Sequence, residues 1–446
     1  MMFTKTKSAL KRRNREHLAW YLYDFGNSAY AAVVLLAIYS IYFKGEVVGG
    51  AEGSRLWGIS VGIAMLVVAF SSPILGAIAD FSASKKKFLF GFSFITWTFT
   101  ALLFFVQKGD IFIGVLFFVL AEIGYRGGQV FYNSLLPEIA SPEEMGRVSG
   151  NGWAIGSAGG ILCLLIILPA IILTDGTLVV RLSLPFTALF FSLSTIPAFL
   201  WIRERAEPQK LPKGENYLTV GFKRLSKTVG SVRKFREFIK FIIAFLIYND
   251  GILMALDFAA IIGAVLFGMD QQQLIIFMII VQVTSVLGAY VMALVGDKLG
   301  FKRSLIFSIL MMTGVVIGML FTKTIEVFFL IGALAGFALT GVQSVSRTMV
   351  GLFAPAGKSA EFFGFFAVAG RTSSFIGPTI YGILAAEAAF WFERQGMTQL
   401  LAEQSGQRVA ILSIAVFLLV GLGILLAVNE QKARAAAVES GLPGME

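Results

Sequence analysis

Gly76-Ala77-Ile78-Ala79-Asp80-Phe81-Ser82-Ala83-Ser84-Lys85-Lys86-Lys87 follows the second long apolar stretch of this chain. Val295-Gly296-Asp297-Lys298-Leu299-Gly300-Phe301-Lys302-Arg303 follows the eighth. Each copy has an aspartate followed at +5 and +6 by basic residues. The copies flank the only long polar interval, 203–236, at matching places. A looser correspondence joins Leu136-Pro137 to Gly159-Gly160 with Ala354-Pro355 to Gly377-Pro378. Internal repeats of this kind mark secondary transporters. One copy alone reads equally well as a positive-inside loop after an aspartate; two copies at matching positions make coincidence the poorer account. Physically, the aspartate can accept donors from a neighbouring helix end, and the basic cluster binds lipid headgroups.

Working outward, the 446 residues are 57% hydrophobic and 14% charged, with a mean hydropathy of +0.80. A soluble chain of this length needs more charge to cover its surface. The net charge of +10 reads as loop orientation, and no nucleic-acid partner is expected. The one histidine, His17, lies in a charged N-terminal arm, and the one cysteine, Cys163, lies in an apolar run. No histidine pair can hold zinc and no buried triad base is available, so neither metal, cofactor nor enzymatic activity is expected. The apolar stretch after the basic arm reaches residue 43, too long for a cleaved leader, and reads as a first span.

Spans need about 20 mostly apolar residues. The candidates are 19–43, 56–79, 88–106, 111–134, 148–173, 181–202, 237–267, 271–295, 304–322, 325–350, 361–385 and 408–428. The expected architecture is all-α: twelve transmembrane helices in two six-helix bundles. Residues 1–18 form an arm, 19–202 the first bundle, 203–236 a linker, 237–428 the second bundle and 429–446 a tail. With the N-terminus placed inside, the inside loops hold 26 Lys and Arg and the outside loops 6. That bias puts both termini in the cytoplasm.

The aspartate-plus-basic loop is similar to the signature loop of the major facilitator superfamily, with Ala83 where that loop usually has glycine. Further stretches resemble one branch of it: Trp20-Tyr-Leu-Tyr23-Asp24-Phe-Gly-Asn27-Ser28-Ala-Tyr30, Phe131-Tyr-Asn133-Ser-Leu-Leu-Pro137, Gly146-Arg147-Val-Ser-Gly150, Tyr248-Asn-Asp-Gly251, Glu361-Phe-Phe-Gly364 and Arg371-Thr-Ser-Ser-Phe-Ile-Gly377-Pro378. These resemble the vacuole-effluxer-like transporters, whose fungal members are autophagy-related vacuolar amino-acid effluxers. The resemblance implies that helices 1, 4, 7 and 10 line a central cavity.

Ionisable groups at bilayer depth each cost about 2.5–3.5 kcal/mol. Asp24, Glu122, Arg126, Asp250, Asp257, Arg347 and Arg371 lie in expected spans, accompanied by Asn27, Gln129, Asn133, Asn249 and Gln343. Unpaired against lipid, the seven charges would cost roughly 20 kcal/mol, so they face one another or a wet path. Glu122, Arg126, Gln129 and Asn133 fall at i, i+4, i+7 and i+11, one stripe of a helix. Asp250 and Asp257 are seven apart, again on one face. Structural readings stay open: Glu122–Arg126 as an ion pair without a ligand, Arg347 as a snorkelling side chain, Asp24 as a hydrated residue near an interface. If the three arginines pair, one of four carboxylates is left over and can carry a proton; Asp250 and Glu122 are the candidates. Gly150, Gly152, Gly156, Gly159 and Gly160 suit close helix contact, and Gly377-Pro378 reads as a kink or hinge.

The substrate or proton pathway is therefore expected to involve Asp24, Asn27, Glu122, Arg126, Gln129, Asn133, Asn249, Asp250, Asp257, Gln343, Arg347 and Arg371. A gating role is expected for Asp80, Lys85, Lys86, Asp297, Lys302 and Arg303. The leading function is alternating-access transport of a small polar or zwitterionic solute, amino-acid-like, with protons as a coupling ion, by a monomer among membrane lipids. A lipid or amphiphile exporter on the same fold and a non-transporting sensor or scaffold are the alternatives.

Overall fold

The computed structural model describes residues 2–140, 142–174, 176–205, 219, 235–354, 362, 365–366, 369–370 and 375–439; among them there is no strand. The chain runs through α1 (Met2–Tyr30), α2 (Tyr39–Tyr42), α3 (Gly50–Ser82), α4 (Lys85–Leu102), α5 (Ile111–Ser134), α6 (Leu136–Ile139), α7 (Pro142–Leu173) and α8 (Thr177–Trp201). After the linker come α9 (Arg236–Phe267), α10 (Gln271–Leu299), α11 (Phe301–Phe321), α12 (Ile325–Phe353), α13 (Ile376–Arg394), α14 (Gln399–Leu426) and α15 (Glu430–Glu439).

Eleven helical spans among the described residues are long and apolar enough to cross a membrane. Phe70, Phe112, Leu173, Leu200 and Phe321 stand exposed on these spans or at their ends. Such faces would be a liability in water and suit contact with lipid. The expected span 361–385 falls partly outside the described residues; its later part opens α13, which runs on to Arg394.

Several boundaries differ from the hydropathy reading. α14 begins at Gln399 rather than near 408, because its polar residues are tucked inward: Glu403 and Gln407 are buried. Tyr381 donates to Gln407 Oε1 at 2.8 Å, and Gln407 Nε2 donates to Ser54 Oγ at 2.9 Å. Polar residues with internal partners do not end a span. The expected arm is helical from Met2, continuous with the first span. His17, expected in a solvated arm, is buried, with Nε2 2.9 Å from the Ile139 carbonyl. The expected tail contains α15, which buries Ala433 and Ala437 against α9 and α12.

The first span is not a regular helix. α1 passes into a π-helical run, Ala31–Ala37, then α2, then a second π run, Phe43–Val48. Neither glycine nor proline interrupts 31–43, so no local residue signal announces the change of winding.

Two compact units divide the chain, Met1–Val48 with Phe70–Phe222, and Gly49–Ala69 with Lys223–Glu446. α3 contributes to both. Inside the first unit α1 packs on α7 and α8, and α4 on α5 and α8. Inside the second, α9 packs on α13 and α14, and α11 on α12 and α14. The same pairing order repeats, as two copies of one six-helix plan require.

Candidate functional site

In the first unit the site starts from a close approach of two helices. Gly152, Gly156 and Gly159 face α1 from α7 at i, i+4 and i+7. A methyl group at Gly152 would strike the Trp20 indole, at Gly156 the Asp24 carboxylate, and at Gly159 the backbone of Phe25. The glycine stripe thus lets the backbones meet and leaves Asp24 room on that face. Asp24 is partly exposed and Asn27, one turn on, is buried within hydrogen-bonding reach of it. The Tyr23, Tyr125 and Tyr132 phenols are in electrostatic range of the same carboxylate. Trp20 stacks on Tyr132 at 4.4 Å between ring centres and donates its indole N–H to the Tyr132 carbonyl at 3.1 Å. Tyr23 stacks on the same ring at 4.9 Å, with its hydroxyl 2.8 Å from Ser93 Oγ.

The expected stripe on α5 is present and graded. Glu122 is fully buried, Arg126 and Gln129 are partly exposed, and Asn133 is exposed. Arg126 Nε donates to Glu122 Oε1 at 2.6 Å, and the Tyr30 hydroxyl donates to Oε2 at 3.1 Å. The guanidinium lies 5.2 Å from the Tyr125 ring centre, and Tyr125 packs on Tyr30 at 4.7 Å. Both oxygens of Glu122 are therefore engaged, one by Arg126 and one by Tyr30. The tyrosines were not singled out from the sequence. Their signal is the spacing Tyr23, Asn27, Tyr30, which puts two phenols on the face that carries the amide.

In the second unit Asn249 and Gln343 meet, Gln343 Nε2 donating to Asn249 Oδ1 at 3.1 Å between α9 and α12. One residue earlier, the Tyr248 hydroxyl lies 2.7 Å from Ser346 Oγ. Asp250 and Asp257 are both buried, as a shared face requires, and the Asp257 carbonyl accepts the Trp57 indole N–H at 3.0 Å. Gly377 packs against the backbone of Asp250. Gly377-Pro378 falls in the first turn of α13, where a missing N–H costs nothing. Arg347 is exposed. Arg371 lies outside the described residues.

The two basic loops act on helix ends. Lys86 Nζ donates to the carbonyls of Phe199 and Ile202, at 2.9 and 2.6 Å, at the C-terminus of α8. Lys302 Nζ donates to Leu426 and Val428, at 3.0 and 2.6 Å, at the C-terminus of α14. A cation there satisfies orphan carbonyls and opposes the helix dipole. Lys85 instead pairs with Glu138 at 2.9 Å, and Glu204 accepts the Lys85 and Lys86 backbone N–H groups at 2.9 and 2.7 Å. Glu138 also receives Arg205, whose guanidinium reaches the buried Glu16. Arg303 is exposed; the Asp80 and Asp297 side chains lie outside what the structure describes. Elsewhere, Arg408, ten residues into α14, donates to Leu320 O at the end of α11, and Arg181 in α8 lies over Phe104, just past α4.

The family model for vacuole effluxer Atg22-like proteins matches residues 56–438. The uncharacterized MFS-type transporter YxiO of Bacillus subtilis is 27% identical over 433 residues, covering 95% of this chain and 96% of that one. Autophagy-related protein 22-1 of Penicillium rubens is 25% identical over 318 residues, 66% of this chain and 51% of that protein; the chain thus spans about half the fungal relative. Among solved structures, a bacterial homologue of the human lysosomal transporter Spinster, inward-facing and unoccupied, superposes with a TM-score of 0.71 at 14% identity, over 97% of this chain and 99% of that one. The nucleoside transporter NupG does so with 0.69 at 13%, over 94% and 99%. These two likenesses show the fold. With the repeated helix pairing and the family match over most of its length, the chain belongs to the vacuole effluxer Atg22-like family and is a multi-pass integral membrane transporter of the major facilitator type.

Proposed function

We propose that the protein is a secondary active transporter that moves small zwitterionic solutes, amino acids first among them, by alternating access coupled to protons. The observation that carries this reading is charge of both signs inside an apolar unit: the anchored Glu122–Arg126 pair, with the partly exposed Asp24 on the neighbouring α1. A transporter of neutral amphiphiles has no use for such groups, which cost several kcal/mol each to insert. The family's description as vacuole effluxers supports the same direction. Twelve spans with both ends in the cytoplasm complete the proposal.

The test is counterflow and pH-driven uptake of labelled amino acids in proteoliposomes. Accumulation that collapses with a protonophore supports it. Asp250→Asn then loses proton-driven uptake and keeps exchange; retained proton coupling in that variant removes Asp250 from the role. Movement of fluorescent lipid without amino-acid uptake would overturn the reading. Cys163 is the sole cysteine, so single cysteines introduced at Lys5 and Gly444 in a cysteine-less background report the sidedness of both termini.

A further inference from the structure

The polar groups around Asp24 are unbalanced in a specific way. Asn27 is 2% exposed and its Oδ1 has no hydrogen-bond partner. The amide N–H₂ is the end that serves Asp24, because a carboxylate needs a donor, and this leaves the oxygen as the orphan. A buried acceptor left unsatisfied is costly to keep without a purpose. Tyr132, 5% exposed, likewise carries a buried hydroxyl without a partner, and its phenol is in electrostatic range of Asp24. No lysine, arginine or histidine among the described residues pairs with Asp24. The cluster therefore holds a partly exposed carboxylate, an orphan amide oxygen and an orphan phenol hydroxyl that can accept as well as donate, with the stacked rings of Trp20, Tyr23 and Tyr132 in the same region.

Acceptors in excess, negative charge and aromatic walls together describe what is missing. A carboxylate or phosphate group would be repelled. A sugar hydroxyl would satisfy the acceptors and leave the charge unmet. A protonated amine brings positive charge, three N–H donors on one atom and favourable contact with aromatic faces.

We propose that Asp24 and Asn27 form the subsite that receives the protonated amine of the transported solute, with the Tyr132 hydroxyl as a third acceptor, so that the cargo carries a primary ammonium group. This rests on the transport reading above and specifies which end of the solute the first unit recognises. Gly156 belongs to the same device, since any larger residue would displace the carboxylate.

Three probes separate the ends of one molecule: L-leucine, 3-methylbutylamine, which lacks its carboxylate, and 4-methylpentanoate, which lacks its amine. Thermal stabilisation of the purified full-length protein and inhibition of leucine uptake in proteoliposomes are read for each. The expected result is that leucine and the amine act and the acid does not. Asp24→Asn, which keeps size and shape, should raise the KM for leucine about a hundredfold, in keeping with loss of one partner of a desolvated charge pair. Asn27→Ala and Tyr132→Phe should raise it less. An unchanged melting temperature without ligand shows that each variant folds, and should one fail, the other two still decide. Stabilisation by the acid and not the amine overturns the proposal while leaving amino-acid transport standing. So does leucine uptake with an unchanged KM in Asp24→Asn, or stabilisation by sodium chloride that choline chloride does not reproduce and that Asp24→Asn abolishes. Absence of uptake or stabilisation with every amine and amino acid overturns both readings.

Discussion

The ammonium of Lys86 sits 2.6 Å from the carbonyl oxygen of Ile202, closing the C-terminal end of α8 from the second position of α4. Lys302 occupies the same second position of α11 and closes α14 in the same way. The matched roles give a matched expectation. Lys86→Met and Lys302→Met should each destabilise by about 1–2 kcal/mol, the worth of a charge-assisted bond to exposed helix carbonyls. Melting in detergent measures this, and a loss confined to one variant would break the equivalence.

Ala83 is the only non-glycine among the described residues with a positive φ, +46°. Gly300 takes the corresponding turn of the second copy at +92°. Ala83→Gly should therefore stabilise by up to about 1 kcal/mol, because the left-handed strain of a Cβ outweighs the extra freedom of an unfolded glycine there. A lowered melting temperature would contradict this.

Glu122 and Arg126 should couple strongly. Glu122→Gln alone leaves a guanidinium in an apolar unit and should cost about 3–5 kcal/mol. The double change Glu122→Gln with Arg126→Gln should cost clearly less than the sum of the singles. Denaturation of all four proteins in one detergent decides it, and additive losses would mean that the two side chains act apart.

The glycine seam makes a graded prediction. Gly159→Ala meets the backbone of Phe25, which cannot yield, and should impair folding. Gly156→Ala meets the side chains of Asp24 and Ser28, which can move, so it should fold and lose transport. Expression and monodispersity in detergent check the first, and uptake the second.

The apolar runs made the spans legible, since about 20 apolar residues in sequence have few other uses. The repeat was legible from its aspartates, but its register was not. Counting from Asp80 and Asp297 pairs Lys85 with Lys302. Counting from the helix starts pairs Lys86 with Lys302, because Ala83 and Ser84 separate α3 from α4 where Gly300 alone separates α10 from α11. The one-residue difference lies in the turn, which hydropathy does not see. The Glu122–Arg126 pair was legible from i,i+4 spacing. The tyrosines that complete it come from other helices or from a face read as ordinary core, and only the fold brings Tyr30 to Glu122. Likewise, that His17 is a buried contact of Ile139 depends on a packing partner 122 residues away.

The wide-wound stretch after Tyr30 has a mechanical consequence. An α-helix advances about 100° per residue, and a π turn stores one residue beyond that count. If Ala31–Ala37 rewound as α-helix while Asp24 and Asn27 stayed fixed, Tyr39 and Tyr42 would swing by about 100° around the axis of the span. Those phenols now donate to the carbonyls of Gly114 and Val106, at 3.0 and 2.9 Å. The span is in effect a geared shaft: an event at its Asp24 end would be delivered to its far half as rotation, with a small advance along the axis and no bend.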